Sequence, residues 1–188
     1  MLKTNAEELF KKSGAVLNGH FLLASGLHSP VYWEKFRVLQ FPAYTEQLCR
    51  MIADHFRKEN IEVVAGPTTG GVILAFEVAR QLGVRGIFAE KVDSERVFKR
   101  GFSINAGERV LIVDDVLTTG SSVHQVIAAV KKLHGNIIGI GVLVDRSVDK
   151  LDFDLPFFSC LRSETINYEP ASCPLCAAKI PLVKPGSS

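Results

Sequence analysis

The sequence predicts an α/β fold with a central parallel sheet flanked by helices. Three observations carry this reading. Apolar runs near residues 62, 85, 110 and 138 alternate with helical segments, the rhythm of strands joined by helical crossovers. Val110-Leu111-Ile112-Val113 is aliphatic at four consecutive positions, as in a strand buried on both faces. The strands then run into loops of glycine and small hydroxyl residues that open helices.

Taken in order, residues 4–17 read as a helix, with Leu9, Phe10 and Leu17 inward and Glu7, Glu8, Lys11 and Lys12 outward. Gly14 and Asn18-Gly19 punctuate its end. Residues 20–33 read as two short strands around the turn Ser25-Gly26. Pro30 keeps Ser29 extended, and Tyr32 and Trp33 end the second strand. Residues 41–59 form an amphipathic helix, with His55 as half-buried filler. A strand at 62–65 follows, then Gly66-Pro67-Thr68-Thr69-Gly70-Gly71, then a helix through Gln81. A strand at 84–89 ends in Glu90-Lys91.

Residues 92–103 break the pattern: they are charged and lack an apolar helical face. They read either as a plain charged hairpin or as a loop whose Lys91, Arg96, Lys99 and Arg100 close over a polyanion. After the strand at 110–113 come a helix at 123–134 and a strand at 137–144 that delivers Asp145-Arg146-Ser147. A last strand at 157–161 leads into a coil-rich tail, 162–188.

The totals set bounds. The 188 residues suffice for one domain with a substantial core. Hydrophobic content of 47% and charged content of 22% are those of a globular protein. A net charge of +2 gives no argument for nucleic acid or a membrane surface. No apolar run reaches the roughly 18–20 residues of a membrane span. The N-terminus lacks the apolar core of a signal peptide, so a cytoplasmic location is expected. Cys49 and Cys160 lie in apolar surroundings and read as packed, inert thiols. Cys173-Pro174-Leu175-Cys176 is a single Cys-x-x-Cys with no second Cys or His pair near it in sequence. It reads as a tail turn bearing two thiols; a metal shared with Cys160 or a partner subunit, or a redox pair, are the alternatives.

The stretch from Asp114 to Ser122 carries the chemistry. Two adjacent carboxylates at a strand's end are costly unless they meet hydroxyls or a cation. Thr118-Thr119-Gly120-Ser121-Ser122 then offers backbone N–H groups and hydroxyls at a helix start, a ready anion site. A ribose 5-phosphate satisfies both halves. The loop at 66–71 suits a second oxyanion. The loops at 66–71, 91–103, 114–122 and 145–147 all follow strand ends, so they can converge on one crevice.

The Asp114–Ser122 stretch resembles the PRPP-binding motif of type I phosphoribosyltransferases. Gly19-His20-Phe21, Ser25-Gly26, Ser29-Pro30 and Tyr32 are similar to the N-terminal hood of the branch that uses orotate. Gly66 to Gly71, Val144-Asp145-Arg146 and the Cys173–Cys176 tail also resemble that branch. The resemblance implies one phosphoribosyltransferase domain over residues 1–188, with a hood from about 1–40 plus the tail and a core of about 41–160. It implies transfer of the phosphoribosyl group from PRPP to orotate by displacement at C1 with inversion.

In that reading Asp114 and Asp115 hold the ribose hydroxyls. Thr118, Thr119, Gly120, Ser121 and Ser122 take the 5-phosphate, with Val116, Leu117, Thr69, Gly70, Lys91 and Arg96 also contacting PRPP. Lys99 or Arg100 covers the pyrophosphate. Arg146 pairs with the orotate carboxylate; Thr118, Tyr32 and Trp33 line the pyrimidine. Mg²⁺ is the implied cofactor, held mainly by PRPP and through water by Asp114 and Asp115, with no direct protein ligand. A homodimer is implied. Three departures stand out: Ala24 and Gly70 occupy positions where many members carry lysine, and no histidine lies between Lys91 and Arg109. Two other readings remain, a phosphoribosyltransferase for a purine or other base and a non-catalytic PRPP sensor.

Overall fold

The computed structural model describes residues 5–23, 25–147, 151–163 and 166–185. The first helix, α1 (Ala6–Lys12), starts where the Asn5 side chain accepts the Glu7 N–H at 3.0 Å. It ends at Gly14, whose φ of +65° only glycine adopts cheaply. The helix expected to reach 17 is therefore shorter. Val16 and Leu17 instead open β1 (Val16–Leu22), which pairs antiparallel with β2 (His28–Trp33). A one-turn helix, α2 (Lys35–Leu39), follows; it is too short to leave a periodic signature. Then come α3 (Pro42–Phe56), β3 (Val63–Pro67), α4 (Gly70–Leu82) and β4 (Arg85–Val92). The charged stretch is a hairpin arm: β5 (Glu95–Phe98) folds back antiparallel on β4.

The chain continues with β6 (Arg109–Leu117), α5 (Ser121–Lys132), β7 (Asn136–Asp145) and β8 (Phe157–Arg162). A 3-10 turn at Pro170–Ser172 and the short α6 (Pro174–Ala177) complete the tail. The larger sheet runs β5-β4-β3-β6-β7-β8 and is parallel except at the β4–β5 edge.

Alternation along β6 splits the core. Leu111 and Val113 pack with Leu48, Ile52 and Phe56 of α3 and Leu74 of α4. Val110 and Ile112 pack with Val123, Val126 and Val130 of α5. The glycines that interrupt β7 have a reason here. A Cβ at Gly139 would overlap the Phe56 ring, and one at Gly141 would overlap Ile52, so α3 can lie directly on the strand. His55, expected half-buried, is exposed, with its ring stacked on Phe158 at 4.5 Å. Cys49 and Cys160 are packed as expected, and burial pushes both thiols well above their ordinary pKa.

The tail returns to the N-terminal hairpin. The Leu22 N–H donates to the Val183 carbonyl at 2.9 Å, and the Val183 N–H donates to the His20 carbonyl at 2.8 Å. His28 and Tyr168 exchange two backbone bonds at 2.9 and 2.8 Å. The hairpin's two edges are thus both held by the tail.

Candidate active site at the C-terminal edge of the sheet

The ends of β3, β4, β6 and β7 are adjacent in the sheet, where α/β proteins bind ligands. β6 runs to Leu117, beyond the predicted end at 113. Both aspartates therefore sit inside the strand and point to opposite faces. Asp114 faces α5: its Oδ2 accepts the Ser122 hydroxyl at 2.6 Å, and its Oδ1 accepts the Asp115 N–H at 2.8 Å. Asp115 faces α4 and the hairpin, with Lys35 Nζ 2.8 Å from Oδ2 and 3.0 Å from Oδ1. The Val116 N–H donates to Asp115 Oδ1 at 2.6 Å. Both carboxylates are almost fully buried, at 5% and 3% exposure. Burial, and then the charge of Asp115, pushes the Asp114 pKa up to about 6, against the pull of Ser122, the Asp115 N–H and Lys35.

Lys35 was not foreseen. It follows the hairpin between Glu34 and Phe36, and only the fold brings it to a residue 80 positions away. It also accounts for Gly70. A Cβ at 70 would overlap the Asp115 carboxylate, so a side chain there must displace that group, and Lys35 supplies a cation to it from the hairpin side. Gly70→Ala should therefore lower stability by about 1–3 kcal/mol, the cost of overpacking. Gly70 is the first residue of α4, where helix propensity alone predicts a small gain, so the sign of the shift in denaturant midpoint decides between them.

Past β6 the chain turns at Gly120, with φ +75°, and α5 starts without a side-chain cap. Thr118 and Thr119 are exposed, and the Thr119 hydroxyl accepts the Ser121 N–H at 3.4 Å. The expected roles of this stretch divide. The Ser122 hydroxyl is engaged by Asp114 rather than aimed at a phosphate. Leu117 is core, and its carbonyl accepts the Arg146 N–H at 2.8 Å. Val116 packs against the core on the hairpin side. What remains open to an anion is Thr118, Thr119, the exposed Ser121 and the amides entering α5. On the neighbouring loop Thr69 is exposed and joined to Thr68 by a cis peptide.

Of the four hairpin cations only Arg96 turns inward. Its Nη1 donates to Thr68 Oγ1 at 2.9 Å and to the Ala89 carbonyl at 3.2 Å. Burial lowers its pKa, and the Asp114 charge opposes this. Lys91 and Lys99 are exposed, and Arg100 is exposed while pairing with Glu90 at 2.6 Å.

Arg146 is the unusual group. It is half-buried, its Nε is buried with no hydrogen-bond partner, and among the described residues it has no carboxylate partner. Its neighbour Asp145 is already satisfied by the Ser147 N–H at 2.9 Å, the Ser147 hydroxyl at 2.6 Å and Arg162 at 3.2 Å. Asp149, three residues beyond Arg146, and Ala24 lie outside the described residues. Burial lowers the Arg146 pKa, opposed by Tyr32 beside it. For Tyr32, burial first and Glu34 second raise the pKa, while Lys35 and Arg146 lower it. Trp33, expected to line the site with Tyr32, does not: neighbours on a strand point to opposite faces, and Trp33 packs edge-on against Phe10 at 5.1 Å in the core.

Two buried carboxylates, Asp115 paired with Lys35, an anion-ready loop beside them and a guanidinium with no carboxylate partner among the described residues suit a protein that takes a phosphorylated sugar and an anionic partner. The comparisons agree on the class: the family described as phosphoribosyl transferase domain matches residues 37–177. The orotate phosphoribosyltransferase of Caldanaerobacter subterraneus subsp. tengcongensis is 50% identical over 187 residues, 100% of this chain and 98% of that one. That of Pelotomaculum thermopropionicum is 49% identical over the same coverage. Among solved structures, the orotate phosphoribosyltransferase from Aeropyrum pernix superposes with a TM-score of 0.71 at 27% identity, covering 85% of this chain and 93% of that one. The chain belongs to the phosphoribosyltransferases and, within them, to the orotate phosphoribosyltransferase family.

Proposed function

We propose that this chain transfers the 5-phosphoribosyl group from PRPP to orotate, giving orotidine 5′-phosphate and pyrophosphate in pyrimidine synthesis. The observation that carries the choice of orotate is Arg146, a partly desolvated guanidinium with no anion partner among the described residues, beside Tyr32 and hydrogen-bonded through its backbone to the end of β6. A planar fork of this kind suits a carboxylate, and a neutral purine has none to offer.

The orotate nitrogen attacks C1 of the ribose while the bond to pyrophosphate breaks, so positive charge develops at the sugar. Asp114 and Asp115 are fixed charges beside that centre, already oriented by Ser122 and Lys35. Thr118, Thr119 and the first amides of α5 hold the 5-phosphate. Arg96, held against Thr68, faces the pyrophosphate side, where Lys91, Lys99 and Arg100 join from solvent. The oxygen donors here suit Mg²⁺, but the carboxylates already accept protein hydrogen bonds, which fits a cation reached through water or through substrate oxygens. When bound, Mg²⁺ neutralises the pyrophosphate charge. A homodimer belongs to the same proposal, and Ile73 and Phe76 on α4, the latter 68% exposed, offer an apolar surface for it. A cytoplasmic location also belongs to it; among the described residues no helix is long and apolar enough to cross a membrane.

The test is pyrophosphate release from PRPP and Mg²⁺ with orotate, uracil, adenine, hypoxanthine or xanthine added separately. Fast release with orotate, only slow release with uracil and none with a purine is expected, stopped by a chelator and restored by Mg²⁺. Release with a purine, or PRPP binding with no release, would replace this reading by one of its rivals.

A further inference from the structure

We propose that His20, His28, Cys173 and Cys176 form a structural zinc site that fastens the C-terminal tail to the β1–β2 hairpin. Their four ligand atoms all lie within 4.8 Å of one another. Cys173 Sγ is 3.5 Å from His20 Nε2, and Cys176 Sγ is 3.8 Å from His20 Nε2 and 3.4 Å from His28 Nδ1. A tetrahedral zinc with Zn–S of about 2.3 Å and Zn–N of about 2.0–2.1 Å sets such atoms about 3.3–3.8 Å apart. To meet that geometry the two nitrogens, 2.9 Å apart, must separate by about 0.4 Å and the widest pair, at 4.8 Å, must close by about 1 Å, shifts within reach of side-chain rotation.

The surroundings are those of a ligand set. His20 Nδ1 is 2.8 Å from the Ile180 carbonyl, an acceptor that requires the N–H on that side. The Nε2 lone pair then faces the two sulfurs, the outer-shell arrangement that orients metal-bound histidine. His20, His28 and Cys173 are buried at 2%, 5% and 4% exposure, with Cys176 at the rim. Two thiolates offset the charge of a divalent ion, and two sulfurs with two imidazoles in a tetrahedral set select zinc. All four positions come from the chain, so no place remains for water or substrate and the site is structural.

Beyond its backbone bonds to the hairpin, the tail buries little apolar surface. Of its described residues 166–185, Cys173 alone is buried, while Ile166, Ile180, Leu182 and Val183 are exposed. The metal would supply the folding energy that apolar burial does not. It would also brace β2, the strand that carries Tyr32 into the active site. The missing ligand pair escaped the sequence because it sits on a hairpin about 150 residues upstream, with eight residues from His20 to His28. Cys160 is not part of the site; its thiol contacts the Leu48 carbonyl at 3.4 Å.

The test uses the full, untagged chain without substrate. Elemental analysis after purification without chelator should give one zinc per chain. Cys176→Ser, a change at an exposed position, should abolish retention. Stripping the metal should lower the melting temperature by about 5–10 °C, restored by added Zn²⁺. Co²⁺ in its place should show the visible bands of a tetrahedral thiolate site. A chain that neither retains nor takes up Zn²⁺, equal zinc in Cys176→Ser, or an intact mass two hydrogens light, marking a Cys173–Cys176 disulfide, would each overturn the proposal.

Discussion

Asp114→Asn yields a protein that melts higher than the parent at neutral pH and turns over at least about 100-fold more slowly. The gain follows from the pKa. In the folded chain burial and Asp115 raise Asp114 from 3.8 to about 6, so the native state binds its proton more tightly than the unfolded chain does. Between those two values unfolding releases a proton, and stability falls as pH rises through the window. Above about pH 6 the parent carries the full cost of a buried, repelled carboxylate, on the order of 1–3 kcal/mol.

Asn is isosteric and carries no such cost. Its oxygen can accept the Asp115 N–H, and its amide can donate to Ser122 Oγ, so both observed hydrogen bonds survive in altered polarity. Arg96 loses a favourable neighbour, which offsets part of the gain. The difference in melting temperature should therefore be near zero at pH 4 and grow to its plateau above pH 6. The loss of turnover reflects removal of a fixed negative charge where the sugar becomes cationic. A variant that melts at or below the parent across this range would mean that Asp114 is not strained, and the electrostatic account of the site would fail.

The same residues show what a sequence exposes and what it hides. The parallel sheet was legible because strands buried on both faces leave continuous aliphatic runs, and Val110–Val113 did so. The crevice was legible because its loops follow strand ends. The end of β6 was misjudged because Asp114 and Asp115 look like loop residues; their cost inside a strand is offset by Ser122 and Lys35, partners that only the fold supplies. Lys35, and the histidines facing Cys173 and Cys176, were hidden for the same reason: long-range pairs leave no local period. Trp33 turns away from Tyr32 by the alternation of β2, and adjacency in sequence does not show which of two aromatics faces the site. Leu17 was placed in a helix because an apolar residue at helical spacing is also an apolar residue at strand spacing, and Gly14 decided between them.

Arg146→Ala should cost orotate use heavily and leave PRPP binding nearly intact. The guanidinium has given up part of its hydration, its Nε has no hydrogen bond, and the nearest acid in sequence, Asp145, is committed to Ser147 and Arg162. A charge kept in that state is costly to the free protein and worth keeping only if something anionic arrives. Its removal should therefore leave the melting temperature unchanged or slightly higher, unlike loss of a group that holds the fold. With orotate the lost bidentate pair should cost about 2–4 kcal/mol, or about 30- to 1,000-fold in kcat/KM. Uracil, which lacks the carboxylate, supplies the second edge of a cycle: the same substitution should change its poor kcat/KM much less. Arg146→Lys should recover only part of the loss, because a single ammonium cannot reproduce the planar fork. The decisive comparison is between substrates within one variant. An equal fall for orotate and uracil, or a matching loss of PRPP affinity by calorimetry, would place Arg146 in the sugar-phosphate half of the site and remove the structural argument for orotate.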